Sequence, residues 1–384
     1  MENLKTIVVV GGGYAGINLL EALKKEFHSE IKDKIRIILI DKNTFHFKKV
    51  KLFKGIVNEN TSDLHVPLKD FCRLDIDFIQ GEATAIAPEK KTIQITGECG
   101  TIFQQEYDKL VLALGSVSRE VASDCGGIAL TSLDKAKEIR QQILKKGNSP
   151  KSTFRLAIVG GGITGIETAT EVNSWLKNEV VKGNKSIEVF LINDKQRLLH
   201  EAPIKISERI ETRLKRHGIK TLQNKKVEKF HDNKVYFSDQ SELEVDFCIW
   251  TVGLKPHPCL LKLEIPITEE GKIKVDSWYR VEEMDNIYAI GDCVHVSDPI
   301  SGSISGMSCK EAIAQAQRLA KIMKAHRMGY SAITHRTYPD LLCIGLGPKD
   351  GFVWTQKWGV DFVLSGKIAE KIREYTWNLA SLNY

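Results

Sequence analysis

Near the start of the chain, the sequence Ile7-Val8-Val9-Val10-Gly11-Gly12-Gly13-Tyr14-Ala15-Gly16 leads from a run of apolar residues into a glycine-rich turn. A second copy follows as Leu156-Ala157-Ile158-Val159-Gly160-Gly161-Gly162-Ile163-Thr164-Gly165. Each copy has the order strand, G-x-G-x-x-G turn, helix, which is the arrangement that binds the pyrophosphate of a dinucleotide. Two copies in one chain predict two bound dinucleotides, a flavin and a nicotinamide, and electron transfer between them.

Each turn predicts a set of binding residues, because the free N–H groups and positive partial charge of a helix N-terminus hold phosphates. In the first copy they are Gly11, Gly13, Tyr14, Ala15 and Gly16. In the second copy they are Gly160, Gly162, Ile163, Thr164 and Gly165. The alternative is a glycine turn that only joins a strand to a helix.

A carboxylate follows the second strand of the first unit. The strand-like run Ile35–Ile40 ends at Asp41, with Lys42 beyond it. This is where an acidic side chain accepts the 2′-OH of an adenosine ribose. The alternative for Asp41 is a solvated aspartate at a strand end.

Bulk properties exclude several classes of protein. The length of 384 residues fits two or three domains, and a net charge of +6 is too modest for a nucleic-acid-binding surface. The first strand begins so close to Met1 that we expect no signal peptide and a cytoplasmic protein. The eight cysteines lack C-x-x-C spacing, so we expect neither a metal site nor a redox-active disulfide.

Five segments carry a resemblance to a known family. The chain resembles type II NADH:quinone oxidoreductases and the apoptosis-inducing-factor-like NAD(P)H:quinone reductases, within the flavoproteins that have two dinucleotide-binding domains. The segments, in order, are Asp41-Lys42-Asn43-Thr44-Phe45-His46-Phe47, Leu110-Val111-Leu112-Ala113-Leu114-Gly115-Ser116, Thr164-Gly165-Ile166-Glu167, Asn286-Ile287-Tyr288-Ala289-Ile290-Gly291-Asp292-Cys293 and Gly345-Leu346-Gly347-Pro348-Lys349-Asp350-Gly351. The resemblance implies an enzyme that passes hydride from NADH or NADPH to FAD and then two electrons to a quinone.

The resemblance also implies a domain organisation. Segments that resemble the flavin-binding motifs lie on both sides of residues 118–266. We therefore predict that this region is inserted into the FAD-binding domain. We predict an α/β fold with two Rossmann-like domains: an FAD-binding domain of residues 1–117 and 267–324, split by an NAD(P)H-binding domain of residues 118–266. Residues 325–384 would form a small α+β C-terminal domain.

The resemblance assigns roles to individual residues. Asp292 would bind the ribityl chain of FAD, with Gly291 allowing close approach. Gly115 and Ser116 would lie near the flavin or at the crossing between domains. Ala83 would offer backbone groups to the adenine. Gly253, after the strand Phe247–Trp250, is assigned to the NAD(P)H site.

Glu167 and Lys310 are the candidate catalytic residues. In the family an acid at the position of Glu167 lies near the nicotinamide and the acceptor path, which suggests proton handling. The alternative for Glu167 is an acid favoured in the first turn of a helix. Lys310 stands where many relatives have a glutamine at the quinone site, and it would neutralise reduced flavin or contact a quinone oxygen. A solvated helix lysine is the other interpretation.

Asn193 stands where many NADH-selective relatives have Glu. Without a carboxylate there is less repulsion of a 2′-phosphate, and Lys195 and Arg197 follow. We therefore predict relaxed preference between NADH and NADPH.

The C-terminal segment has apolar residues at helical spacing (Ile368, Ile372, Tyr375, Leu379 and Leu382), with Lys367, Lys371 and Arg373 on other faces. Such a helix can lie on the cytoplasmic face of an anionic membrane. The alternative is a helix packed on its own protein or on a second subunit in a homodimer.

Other acceptors remain open at this stage. A ferredoxin-reductase-like enzyme that reduces a protein, and a weakly catalytic flavin redox sensor, fit the same cofactor segments. Sulfide:quinone reductase fits less well, because sulfide oxidation needs no nicotinamide.

Overall fold

The structure is a computed structural model that describes residues 5–147, 150–180 and 185–382. The first part of the chain forms strands β1 (Lys5–Val10), β2 (Ile35–Asp41), β3 (Phe45–Phe47), β4 (His65–Pro67), β5 (Asp77–Gln80), β6 (Glu82–Ala87), β7 (Thr92–Thr96), β8 (Ile102–Glu106) and β9 (Lys109–Leu112), and helices α1 (Tyr14–Glu26), α2 (Lys54–Val57) and α3 (Leu68–Cys72).

The middle part forms strands β10 (Ser116–Ser118), β11 (Ile128–Ala129), β12 (Thr153–Val159), β13 (Ser186–Ile192), β14 (Ile219–Leu222), β15 (Val227–His231), β16 (Lys234–Phe237), β17 (Glu242–Glu244), β18 (Phe247–Trp250) and β19 (Leu254–Pro256), and helices α4 (Leu133–Gly147), α5 (Ile163–Trp175) and α6 (Ile204–Arg216). The last part forms strands β20 (Ile273–Lys274), β21 (Ile287–Ala289), β22 (Val294–His295), β23 (Leu341–Gly345), β24 (Gly351–Lys357) and β25 (Val360–Ser365), and helices α7 (Cys309–Arg327) and α8 (Lys367–Ala380).

The first sheet joins sequence from both ends of the chain. Its order is β21-β9-β1-β2-β5, and all of its pairs are parallel. Most residues of β1 and β2 are buried, as expected for parallel strands with helices on both faces. Because β21 follows the whole middle part, the sheet that carries the first glycine turn is completed only after the chain returns.

The second sheet repeats this arrangement within the middle part. Its order is β11-β18-β12-β13-β14, again with parallel pairs. The chain leaves the first unit through β10 and returns through β19, and these two strands pair antiparallel. Leu260 and Leu263, just after β19, already pack in the core of the first sheet. The predicted boundaries at residues 118 and 266 remain a prediction.

The C-terminal part adds an antiparallel sheet, β23-β24-β25, with α8 packed across it. Phe352, Trp354 and Trp377 belong to the same apolar core as Leu156 and Ile158 of β12. The C-terminal sheet is therefore fused to the second unit by burial of aromatic side chains.

Over the described residues, no helix combines the length and apolar character needed to cross a membrane. All eight cysteines are free thiols.

Candidate functional site

The first glycine turn has the backbone geometry that only glycine tolerates. Gly11 has φ +108°, and a Cβ there would lie 2.4 Å from the carbonyl oxygen of Ala113. A Cβ on Gly16 would lie 1.8 Å from the carbonyl oxygen of Gly11. Both glycines are therefore required by the protein's own packing of α1 against β1 and β9.

Gly13 differs, because the protein itself does not need a glycine there. Its φ of −73° suits any residue, and a Cβ would meet nothing within 4 Å. The N-terminus of α1 has no side-chain cap, so its free N–H groups face this open space. An open space in front of uncapped N–H groups fits a ligand phosphate.

Asp41 lies beside this turn, at the end of β2. Its Oδ2 accepts a hydrogen bond from the N–H of Gly12 at 2.6 Å, and its Oδ1 accepts one from the N–H of Asn43 at 2.7 Å. Gly81 donates its N–H to the carbonyl of Asp41, which brings the segment with Ala83 to the same strand end. Lys42 is exposed beside it. The strand that carries Ala83 therefore begins beside the end of β2 where Asp41 lies.

The second half of the predicted flavin site comes from beyond the insertion. Ser116 Oγ donates to Asp292 Oδ2 at 2.7 Å, although the two residues are 176 positions apart. Gly291 has φ +87°, and a Cβ there would lie 2.9 Å from the Cβ of Ala15. The loop after β21 therefore packs on the start of α1. Gly115, with φ +65°, has nothing within 4 Å of an added Cβ.

Lys49 lies within residues 45–53, a segment that the family resemblance places near the isoalloxazine, although no role was predicted for Lys49 itself. Its Nζ donates to the carbonyl of Ser116 at 2.7 Å. Loss of hydration lowers the pKa of Lys49, while the charges of Asp292 and Asp41 oppose that change. Burial raises the pKa of Asp292, and Ser116 and Lys49 act in the opposite direction. The positive charge of Lys49 thus acts on both Asp292 and Asp41.

The second glycine turn has the same backbone geometry and the same close approaches as the first. Gly160 has φ +130°, and an added Cβ would lie 2.4 Å from the carbonyl oxygen of Thr251. A Cβ on Gly165 would lie 1.9 Å from the carbonyl oxygen of Gly160. Gly162, with φ −83°, again has open space and begins a helix without a side-chain cap. Ile163 and Thr164 form the first turn of α5, and Gly253 (φ +86°) also faces open space.

Asn193 is equivalent to Asp41 but points differently. Val10 pairs with Ile40 and Val159 pairs with Ile192, so Asp41 and Asn193 hold the same register position in the two sheets. Asn193 is buried, and its Nδ2 donates to the carbonyls of Lys195 and Arg197 and to Gln223 Oε1. A carboxylate has no N–H to donate to these acceptors. The amide at this position therefore holds the loop after β13.

Glu167 is placed at the junction with the C-terminal part. Its carboxylate is buried, accepts hydrogen bonds from Arg373 of α8 at 2.8 and 3.2 Å, and accepts the N–H of Gly345 at 2.9 Å. Burial raises the pKa of Glu167, and the charge and hydrogen bonds of Arg373 oppose this rise. The sequence pattern grouped Arg373 with Lys367 and Lys371 on faces other than the apolar one, whereas the structure buries Arg373 together with Ala369, Trp377 and Ala380.

Lys310 lies at the start of α7, and its Nζ donates to the carbonyl of Leu341 at the start of β23. Burial lowers the pKa of Lys310, with Cys309 acting against that change and Arg373 in the same direction. Lys310 and Glu167 both contact β23, at opposite ends of the strand. The structure thus brings the two candidate catalytic residues to one strand of the C-terminal sheet without a hydrogen bond between them among the described residues.

Comparison with known proteins agrees with this geometry. Residues 5–329 match the family described as pyridine nucleotide-disulphide oxidoreductase, and the chain belongs to this family. It is 22% identical over 330 residues to the NADH dehydrogenase-like protein YutJ of Bacillus subtilis, covering 84% of this chain and 83% of YutJ. It is 24% identical to the mitochondrial external alternative NAD(P)H-ubiquinone oxidoreductase B3 of Arabidopsis thaliana, covering 76% of this chain. The chain spans only 55% of that plant protein's length.

Among solved structures, the fold is similar to that of NDH2 from Plasmodium falciparum in complex with NADH. The TM-score is 0.79 at 17% identity, with 99% of this chain and 97% of the other covered. These findings confirm the resemblance to NAD(P)H:quinone oxidoreductases and the α/β fold with Rossmann-like parallel sheets. The eight cysteines are free thiols, and the two nearest in sequence are Cys248 and Cys259.

Proposed function

We propose that this chain is an FAD-dependent oxidoreductase that takes electrons from NADH or NADPH and delivers them to a quinone. The observation that carries the proposal is the pair of open, uncapped helix N-termini at Gly13 and Gly162, one for each sheet. Each is framed by glycines that the protein's packing requires, so the two spaces are built features of the fold.

The residues of the first unit fit FAD. Gly13, Asp41, Ala83, Ser116 and Asp292 would hold it, from the adenosine to the ribityl chain. When bound, FAD supplies the two-electron acceptor that links a nicotinamide to a quinone. The protein orients the two cofactors, and Lys49 holds a positive charge beside the carboxylates of the flavin site.

The second unit would hold the nicotinamide dinucleotide at Gly162, Ile163 and Thr164. Asn193 supports the loop beside this site without a negative charge, which favours the use of both NADH and NADPH. Lys310 and the Glu167–Arg373 pair are charged groups beside β23 of the C-terminal sheet. We propose that the quinone binds on this side of the molecule.

The test compares substitutions in the two open spaces. Gly13→Val and Gly162→Val suit the observed backbone and meet no protein atom within 4 Å at Cβ, so both should fold. Gly13→Val should lose FAD. Gly162→Val should keep FAD and be reduced by dithionite, but NADH and NADPH should no longer remove the flavin absorbance in stopped-flow mixing.

The acceptor is tested with the wild-type protein by a second mixing step. We expect a menaquinone analogue to restore the flavin absorbance faster than oxygen does. If every quinone reoxidised the flavin slowly, the acceptor would instead be a protein, or the chain would be a redox sensor. If sulfide reduced the flavin and the nicotinamides did not, the proposal that NADH or NADPH is the electron donor would be wrong.

We also propose that the enzyme associates peripherally with an anionic membrane surface. Ile368 and Tyr375 of α8 are 66% and 60% exposed, and Trp358 at the tip of the β24–β25 hairpin is 86% exposed. Lys367 and Lys371 of α8 are exposed as well. Exposed apolar and aromatic side chains beside cations favour an interface with anionic lipids.

A further inference from the structure

A groove of about 500 Å³ lies between α6 and the C-terminal sheet, away from both glycine turns. Its floor includes Phe352 and Val363, and its wall is one face of α6. The groove does not take part in the proposed electron transfer.

The helical wall of the groove is cationic. Lys205, Arg209 and Arg216 line it and make no hydrogen bond or ion pair with any residue that the structure describes, and Glu208 is the one carboxylate in the lining. A fourth cation, Arg213, is already paired with Asp350 at 2.5 Å. Three unpaired cations facing one groove favour an anionic occupant.

The sheet side of the groove ends in an open strand edge. β25 is the last strand of its sheet, and within the described ranges its outer edge pairs with no other strand. Its sequence, Val360-Asp361-Phe362-Val363-Leu364-Ser365, contains no Pro or Lys, the residues that usually protect exposed edges. Phe362 and Leu364 are 52% and 48% exposed. Such an edge offers free backbone N–H and C=O groups to an added strand.

We propose that β25 and the cationic face of α6 together bind an extended acidic segment of another protein by strand addition. Acidic side chains at alternate positions of the added strand would face α6, and apolar side chains between them would continue the surface of Phe362 and Leu364. The spacing is compatible, because Lys205 and Arg209 are one turn apart, about 6 Å along the helix. Side chains on one face of a strand recur at about 6.7 Å.

A second copy of this chain is a poorer occupant. Symmetric pairing of two β25 strands would bring a second cationic α6 towards the first, which like-charge repulsion opposes. The only carboxylate of β25, Asp361, already accepts hydrogen bonds from Trp354 Nε1 at 2.9 Å and Gln356 Nε2 at 3.2 Å. It cannot readily neutralise the partner's cations.

The test is fluorescence polarisation of a short labelled peptide that alternates Glu with Val, titrated with the full chain. We expect saturable, salt-sensitive binding that weakens about tenfold or more in Arg209→Glu/Arg216→Glu and stays unchanged in Lys25→Glu, an exposed cation on α1. Phe362→Lys on the exposed edge should also weaken binding. A peptide with one central Val replaced by Pro should bind worse, because Pro removes a backbone donor.

Several results would overturn the proposal. Equal binding of the Pro-containing peptide would mean charge attraction without strand addition, and equal binding of a Lys-Val peptide would remove the acidic requirement. Concentration-dependent dimers that Phe362→Lys abolishes would assign the edge to self-association. Loss of binding to phosphatidylglycerol vesicles in Arg209→Glu/Arg216→Glu, without peptide binding by the wild type, would assign the groove to lipid.

Discussion

Asn193 has a structural role that Asp41, its counterpart in the first sheet, does not have. It occupies the register position of Asp41, yet its amide is turned inward to the carbonyls of Lys195 and Arg197. A carboxylate cannot donate these hydrogen bonds, so the amide leaves position 193 without a negative charge of its own.

Charge on the loop after β13 should therefore set the preference between nicotinamides. Lys195 is about half exposed, so Lys195→Glu places a carboxylate near the site without disturbing Asn193. We expect kcat/KM with NADPH to fall about tenfold or more relative to that with NADH, because like charges brought together cost several kcal/mol. Steady-state kinetics with both nicotinamides measures this ratio. Lys25→Glu on α1 is the matched control, and an equal fall with both nicotinamides would refute the assignment.

His335 is a fully buried imidazole beside the hydroxyl of Tyr279. Its Nδ1 lies 2.9 Å from the hydroxyl oxygen of Tyr279, which also accepts a hydrogen bond from Arg318 at 2.8 Å. Burial, with the nearby charge of Arg318, lowers the pKa of His335 to about 4.

This pKa predicts a loss of stability in acid. Between pH 6.5 and 4 the unfolded chain binds more protons at His335 than the folded chain does, so the free energy of unfolding falls as pH falls. From pH 6.5 to 5 the expected loss is about 2 kcal/mol for this residue. Urea unfolding across this range should show a shallower pH slope in His335→Gln, whereas the exposed His231→Gln should keep the wild-type slope. An unchanged slope in His335→Gln would contradict the prediction.

Among the elements, helix α8 has a buried face and an exposed face. Its buried face carries Arg373 and Trp377, which contact Glu167 and Phe53, respectively. Its exposed face carries Ile368 and Tyr375. Deleting the whole helix would remove the partner of Glu167 together with the proposed membrane contact, so deletion cannot separate the two.

Substitutions on the exposed face test the membrane contact alone. Ile368→Glu/Tyr375→Glu should lower co-sedimentation with phosphatidylglycerol vesicles about tenfold or more, because it removes apolar area and adds repulsion from anionic lipid. Thermal stability and FAD content should stay at wild-type values. Ile102→Glu, at a 62% exposed position on β8, is the matched control. If the α8 variant sedimented with the vesicles as the wild type does, the membrane contact would be refuted and the exposed face would be assigned to contact with a second subunit.

At the scale of the whole molecule, local patterns were predictable and long-range pairings were not. The glycine turns were predicted because Gly11, Gly16, Gly160 and Gly165 are demanded by contacts within one strand–turn–helix unit. Return of the chain to the first sheet was predicted as well, because the Gly291-Asp292 segment resembles a known flavin motif. The burial of Arg373 was not predicted, because its partner lies 206 residues away and helical periodicity cannot distinguish an ion pair with a distant residue from a solvated arginine.

The Glu167–Arg373 pair ties the second dinucleotide unit to the C-terminal part, and its energy can be measured. Breaking a buried ion pair on one side leaves an uncompensated charge, which costs about 3–5 kcal/mol, whereas replacing both partners costs much less. We therefore expect Arg373→Met to destabilise the protein strongly to urea and Arg373→Met/Glu167→Gln to recover much of the loss. The exposed pair Lys135–Glu138 on α4, also at 2.8 Å, is the control cycle and should give a coupling energy of about 0–1 kcal/mol. A coupling energy for Glu167–Arg373 no larger than that of the control would mean that the aromatic core around Trp354 and Trp377, and not the ion pair, holds the C-terminal part in place.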